Sequence, residues 1–472
     1  MKGKRHFPLL AFVVFTVIFF LTFSMQVIDA RKHHHHRKKG KSHKHQKSNG
    51  AANSPAPGPA PLPSYGFHPN SSGIFNVLSF GAKGDGGADD SKAFLAAWKA
   101  ACNVPGATVE IPAELKFLVK PITFQGPCMP NLSFQIDGTL LAPPKISSWT
   151  KYSLFQWINF KWVHNFTIQG NGAVDGQGSS WWKANSKKFK HISNMKPTAI
   201  RFYASYNVTV RDIEITNSPQ CHLKFDSSSG IKVDNVTISS PESSPNTDGI
   251  HLQNTQDVEI KYSNIGCGLR DLWGWDDCVS IQTGCSNIHI HHIDCGPGHG
   301  ISIGGLGKDK SIGCVSDIIV EEISLQNTLA GVRIKTWQGG MGSVKNVTFS
   351  NIQVADVKVP MIIDQFYCDK NICKNQTGAV AISGVKYDQI IGTYSAQPVH
   401  LACSSDIPCT DVDLIDIQLK PSMRYGGFQP ALCWNSYGKS QAPLLPSSID
   451  SCLRRDHGSL VKRIAGFPEH IC

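Results

Sequence analysis

The chain has 472 residues, 41% of them hydrophobic and 17% charged, with 42 glycines and 27 prolines. Low charge with abundant glycine excludes a coiled coil, the hydrophobic share excludes global disorder, and a single long apolar run at residues 7–23 excludes a multi-span membrane protein. The net charge of +11 is local: residues 1–30 carry +2, residues 31–48 carry +8 and the remaining 424 residues +1, which is not the uniform basicity of a nucleic-acid binder.

Lys2, Lys4 and Arg5 precede the apolar segment Phe7–Phe23, and Ile28-Asp29-Ala30 ends on a small residue. This pattern predicts a secretory signal peptide over 1–30, cut near Ala30, with an uncleaved anchor helix as the competing reading. Residues 31–48 combine eight Lys/Arg with six His and contain no acid. They fit a solvated linker, an electrostatic attachment to an acidic polymer, or a metal-capturing histidine run. Residues 49–71 hold the proline-rich stretch Ser54–Pro63, an extended spacer. Neither segment can bury a core, so the folded part is expected over 72–472.

All fifteen cysteines lie at Cys102 or beyond. In a secreted chain most should pair, the close pairs Cys278/Cys295, Cys368/Cys373 and Cys403/Cys409 first, and the odd count leaves at least one thiol over. Glycosylation sequons stand at Asn70, Asn131, Asn165, Asn207, Asn235, Asn346 and Asn375, and some of these are expected to be structural turns.

The segment Asp89–Cys102 is the best helix in the chain. Asp89, Asp90 or Ser91 can cap it, and Phe94, Leu95, Trp98 and Cys102 share a face. Beyond it one pattern recurs, a turn-forming Asn or Asp followed by alternating β-branched residues. It starts at Asn165, Asn207, Asn235, Asp257, Asn287, Asp317 and Asn346, with spacings of 42, 28, 22, 30, 30 and 29 residues. The first interval is wide enough for more than one turn. Short strands at this period, without helices between them, predict an all-β solenoid whose Val and Ile stack in ladders, with the helix as N-terminal cap.

Four clusters then follow on successive predicted coils: Asn246-Thr-Asp248-Gly-Ile-His, Asp276-Asp277-Cys-Val-Ser-Ile, Gly298-His299-Gly300-Ile-Ser-Ile-Gly, and Arg333-Ile-Lys335-Thr. Each has an ordinary explanation by itself: a turn, a solvated acid pair, a tight bend, a polar strand face. In a solenoid, however, equivalent positions of adjacent coils lie roughly 5 Å apart, so the four converge on one patch. Glycoside hydrolysis needs one protonated carboxyl and one carboxylate to activate water. Crowding three carboxylates raises at least one pKa. Arg333 and Lys335, two apart on a strand, point the same way and suit a substrate carboxylate, so an acidic sugar polymer is expected.

These residues resemble the polygalacturonase family of pectin-degrading enzymes (glycoside hydrolase family 28), the plant type in particular. The resemblance covers about residues 72–472. It begins at Phe75-Asn-Val-Leu-Ser-Phe-Gly-Ala-Lys-Gly-Asp85 and is most specific at Cys295-Gly-Pro-Gly-His-Gly-Ile-Ser-Ile-Gly304. It implies a right-handed parallel β-helix of the pectin-lyase-like kind and hydrolysis of α-1,4-galacturonan with inversion; with the signal peptide, the leading reading is a secreted, monomeric, endo-acting enzyme of the cell wall. No cofactor, metal, nucleic acid or, after signal cleavage, membrane is implied. By position Asp276 matches the general acid, Asp248 and Asp277 the pair activating water, and His299 a histidine supporting the acid. Asn246, Arg333, Lys335 and Tyr367 match substrate contacts.

Two departures stand out. The family writes Gly-Asp-Asp without a break, whereas here Leu269-Arg-Asp-Leu-Trp-Gly-Trp275 separates Gly268 from Asp276; removing it restores the motif in frame. Those seven residues are either a real loop or a splice variant, and in both cases Trp273 and Trp275 could stack on sugar or block the cleft. Gly304-Gly305 stands where the family more often has Gly-Ser. The competing functions are a pectin-binding wall protein silenced by this insertion, and an exo-acting or rhamnogalacturonan-cleaving relative.

Overall fold

The computed structural model of the chain describes residues 73–149, 155–183, 196–241, 244–245, 247–268, 276–368, 376, 378–423, 427–455 and 472. The segments expected as signal peptide, basic tail and proline-rich spacer, together with Asn246, the insertion 269–275 and Cys373, lie outside the described residues.

The strands pair in parallel and form a β-helix. Among the described residues, eleven of them, from Ile122–Gln125 to Leu432–Trp434, stack into one sheet, and the rest form a 19-stranded sheet that turns a corner. The strand Gln256–Cys267 shows how: Val258 pairs with Ile231 before the bend and Ile265 with Ile238 after it. The bend is Tyr262, at φ 50°.

These bends explain the recurring Asn and Asp. A corner requires the left-handed backbone region, which Asn and Asp tolerate better than most residues. Asn165, Asn207, Asp257, Asn287, Asp317 and Asn346 all have φ between 50° and 59°. Their side chains form a ladder: Asn207 Nδ2 donates to Asn165 Oδ1 at 2.6 Å, Asn287 Nδ2 to Asp257 Oδ1 at 2.7 Å and Asn346 Nδ2 to Asp317 Oδ1 at 2.8 Å. Asn235 belongs to a different corner, where its amide donates to Asp212 Oδ1 at 2.8 Å. The place between Asn207 and Asp257 is taken by Gly230, at φ 69°. The 42-residue interval is a single turn, because Val208 pairs directly with Phe166. Asn165, Asn207, Asn235 and Asn346 are thus sequons already committed to coil corners.

Inside, aliphatic and aromatic ladders fill the coil. Phe124, Phe160, Phe202 and Phe225 stack at 5.1–5.2 Å and give way to Leu252, Ile281, Ile303 and Ile334. The helix Ser91–Ala101 covers the first coils, setting Phe94 against Phe117 and Trp98 against Phe124. Its buried face is Ala93, Phe94, Ala97, Trp98 and Ala101. Leu95 is only partly buried, and Cys102 is tied to Cys128. Asp90 sits at the cap position but makes no cap hydrogen bond; its carboxylate is buried and accepts from the backbone N–H of Lys83 and Gly84.

Cys278–Cys295 and Cys403–Cys409 are bridged as expected, and Cys314–Cys472 and Cys433–Cys452 add ties near the C-terminal end. Cys368 is also disulfide-bonded. Cys221, Cys267 and Cys285 are buried free thiols.

Candidate active site

Three of the four clusters sit where a turn enters the eleven-stranded sheet. Ile250, Val279 and Ile301 are in register on adjacent strands. Asp248, Asp277 and His299 each stand two residues before them, at one position of three successive coils. Backbone hydrogen bonds lock this stack: Gly249 N–H donates to the Asp277 carbonyl at 2.9 Å, and His299 N–H to the Asp276 carbonyl at 2.8 Å. The Cys278–Cys295 disulfide joins the acid coil to the chain leading into His299. Gly300 has φ 81°, and a Cβ there would run into the Ala330 and Gly331 carbonyl oxygens, so only glycine lets the next coil approach.

Arg333 and Lys335 lie on the strand Ala330–Trp337, in register with Ser302 and Gly304. Both reach back to Asp277. Arg333 Nη2 donates to its Oδ1 at 2.8 Å, Lys335 Nζ to its Oδ2 at 3.0 Å and Ser302 Oγ to its Oδ1 at 2.6 Å. Arg333 Nε also donates to Ser302 Oγ at 3.0 Å. Burial works to raise the Asp277 carboxyl, but Lys335 and Arg333, with His299 and Ser302 adding to the effect, hold it well below the usual carboxylate range.

Asp276, its neighbour in the chain, meets the opposite environment. It is 3% exposed. Burial and the Asp248 charge push it up to about 8, against the Thr247 donors that favour its anion. Those donors are the Thr247 N–H and the Thr247 hydroxyl, the latter 3.0 Å from Oδ2. Asp248 accepts from the Asp277 N–H at 3.3 Å and faces His251 Nδ1 at 3.4 Å.

The His299 ring stands with Nδ1 4.0 Å from Asp277 Oδ1. Burial pushes it down to about 4, Arg333 and Lys335 working the same way against the pull of Asp277. Tyr367 packs edge-on to Trp337 at 5.4 Å, with Lys335 Nζ 5.6 Å from its ring centre. The structure therefore gathers Asp248, Asp276, Asp277, His299, Arg333 and Lys335, with Tyr367 beside Lys335. Both cations, expected to face substrate, are engaged by Asp277.

Four residues that sequence reasoning did not single out join them. Thr247 and Ser302 hold the two acids, and His251 faces Asp248; all three lie within the quoted clusters, which was the available signal. His222 carried none. It is fully buried under the site, with Nδ1 3.0 Å from the Asp248 carbonyl and Nε2 2.8 Å from Ser240 Oγ, and burial lowers its pKa. Among the described residues no group of three or more His, Cys, Asp or Glu is arranged to hold a metal ion, and no helix is long and apolar enough to cross a membrane.

The chain matches the family described as Glycosyl hydrolases family 28 over residues 102–433. It is 40% identical over 382 residues to a polygalacturonase of Chamaecyparis obtusa, an alignment covering 79% of this chain and 72% of that protein. It is 38% identical over 401 residues to a probable polygalacturonase of Arabidopsis thaliana, covering 84% and 88%. Among solved structures it resembles an endo-xylogalacturonan hydrolase from Aspergillus tubingensis, with TM-score 0.66 and 21% identity over 82% of this chain and 99% of that one. It also resembles a polygalacturonase from Erwinia carotovora, with TM-score 0.61 and 24% identity over 75% and 94%. Both likenesses are of fold, the right-handed parallel β-helix.

Proposed function

The chain belongs to glycosyl hydrolases family 28, and from that membership we propose that it is a polygalacturonase hydrolysing the α-1,4-galacturonosyl bonds of pectin with inversion. One observation carries the roles of the residues: adjacent acids lie in opposite surroundings, Asp276 buried and bonded to Thr247, Asp277 clamped by two cations. Asp276, buried and pushed up to about 8, keeps its proton below that pH and gives it to the leaving glycosidic oxygen. Asp277, clamped by Arg333 and Lys335, stays ionised. With Asp248 it takes the proton of the attacking water. His299, mostly neutral above about pH 4, orders this group without adding charge. Arg333 and Lys335 offer their remaining donors to a substrate carboxylate, and Asn246 and Tyr367 contact the sugar.

The cellular setting belongs to the same reading. Residues 1–30 direct secretion, 31–48 and 49–71 tether the catalytic part 72–472, and the mature protein acts as a monomer in the cell wall, cutting within chains. The silenced pectin-binding alternative fits less well, since such a protein has no use for one protonated and one ionised acid side by side.

The test is reducing-end release from polygalacturonate by the natural protein and by Asp276→Asn. Loss of a proton donor should lower kcat on the order of 10²–10⁴-fold. Near-natural turnover in the folded variant would overturn the assignment of the acid. Retention on pectate without any reducing-end release by the natural protein would favour the binding protein instead. Exclusive release of single units from chain ends would favour the exo-acting relative.

A further inference from the structure

The face of the eleven-stranded sheet turned away from the core carries an ordered row of side chains. Arg201, Lys224, His251, Ser280, Ser302 and Arg333 stand opposite one another on successive strands. Asp276 and Asp277 lead into the strand of Ser280. Arg333 lies two strands to one side of that coil, Lys224 two strands to the other side and Arg201 three. At a strand spacing of about 4.8 Å, the backbone positions of Arg333 and Lys224 lie roughly 10 Å to either side of the acid strand along the helix axis; the Arg333 guanidinium reaches back to Asp277, whereas Lys224 engages Gln253.

Arg201 and Lys224 line a cavity of about 330 Å³ together with Phe155, Gln156, Thr198 and Gln220. Arg201 is held in place: Nη1 donates to Gln156 Oε1 at 2.9 Å, Nη2 to Asp226 Oδ2 at 2.6 Å, and the guanidinium lies 4.8 Å from the Tyr203 ring centre. Lys224 Nζ donates to Gln253 Oε1 at 3.2 Å, a neutral partner that leaves its charge uncompensated by that contact. Phe155 is 56% exposed and offers an apolar face to a sugar ring. Positive charge, amide donors and an exposed aromatic ring are what a uronate unit needs.

We propose that this cavity is a distal subsite for a uronate carboxylate, with Lys224 as its charged contact and Arg201, ion-paired with Asp226, as a fixed donor beside it. The occupant is a unit of the same acidic polysaccharide roughly 10–15 Å from the acids, on the side away from Arg333 and Lys335. The inference rests on the polyuronide substrate proposed above. A subsite there engages a chain on both sides of the cut, as cleavage within chains requires. It also adds a cation on the side of the acids away from Arg333 and Lys335, whose charges are engaged by Asp277.

The experiment compares the natural protein with Lys224→Gln and Lys224→Arg on trigalacturonate and hexagalacturonate, reading both hydrolysis and calorimetric binding. Lys224 is only half-buried, so Lys224→Gln is expected to fold, and circular dichroism checks this. For hexagalacturonate, KM and Kd should rise about tenfold in Lys224→Gln, the effect of one lost charge-assisted contact. For trigalacturonate the rise should be several times smaller, and Lys224→Arg should restore most of the loss. Equal effects at both lengths, or none at either, overturn the subsite while the substrate reading stands. If the natural protein cleaves neither oligomer, the substrate reading fails. The subsite is then judged by binding alone: equal hexagalacturonate affinity in natural protein and Lys224→Gln, or none in either, overturns it.

Discussion

Asp276 and Asp277 are consecutive, yet their surroundings push them in opposite directions, and this gives each a pH signature. Asp277 is depressed by Lys335 first and Arg333 second. Lys335→Met should therefore raise the Asp277 pKa and move the acid limb of the kcat/KM profile to higher pH, while the alkaline limb, governed by Asp276, moves less. An unmoved acid limb would separate Asp277 from that limb. In stability the two acids have opposite signs. The folded Asp277 value lies below the unfolded one, so its contribution is present above about pH 4 and is lost as pH falls through the folded value. The folded Asp276 value, about 8, lies above the unfolded one, so the fold binds an extra proton and loses stability as pH rises from about 4 to 8. Asp276→Asn should remove this second loss, so urea midpoints at pH 8 should favour the variant relative to pH 5. The acids themselves were legible in sequence as a spaced set. The holds of Thr247 on Asp276 and of Ser302 on Asp277 were not, because they depend on which residues face each other across coils 25 and 29 residues away in the chain.

At the scale of the coil, positive-φ corners set the phase of the whole array. Two kinds of corner demand the same backbone conformation, so the motif beginning at Asn235 looked like the one beginning at Asn207 although it turns a different edge. Gly230 fills the equivalent corner silently, since glycine adopts that conformation without a telltale side chain. Gly300 is the corner that matters most for the site, for it lets the His299 coil close onto Ala330 and Gly331. Gly300→Ala should cost on the order of 3 kcal/mol, from combined strain and clash, read as a lower urea midpoint. Activity at a denaturant-free, fully folded temperature should fall as well, because His299 shifts against Asp277. Wild-type stability in this variant would show that the backbone yields at no cost.

The molecule as a whole joins a nearly neutral body to a strongly basic tail. Eight Lys/Arg within residues 31–48 face a substrate that is a dense linear polyanion under the proposed function. Counterion release favours such contacts, and covalent linkage raises the local concentration of the catalytic part near the polymer. Retention on a pectate column should be stronger for a form starting at Arg31 than for one starting near Ser64. The difference should shrink toward 1 M salt, where the Debye length is about 3 Å, and grow from pH 7 to pH 5 as the six histidines gain charge. Co-elution at every salt and both pH values would leave residues 31–48 as a plain linker. At the opposite end the Cys314–Cys472 disulfide fastens the last residue to a coil 158 positions earlier. Nothing in the cysteine spacing pointed to that tie, whereas the 17- and 6-residue separations of Cys278–Cys295 and Cys403–Cys409 did point to theirs.

The repeated Asn/Asp-plus-β-branched unit determined a parallel solenoid from sequence alone, because corner and ladder are both local requirements repeated once per turn. The same regularity brought Asp248, the Asp276-Asp277 pair, His299 and the Arg333/Lys335 strand to one patch, since position along a solenoid follows from position along the chain. Only the tertiary structure decided how these groups pair there. Arg333 and Lys335 close on Asp277, Asp276 is left to Thr247 and the buried interior, and His222 comes in beneath Asp248. Protonation depends on burial and on charges a few ångströms away across neighbouring strands, and strand register, not spacing in the chain, sets those distances.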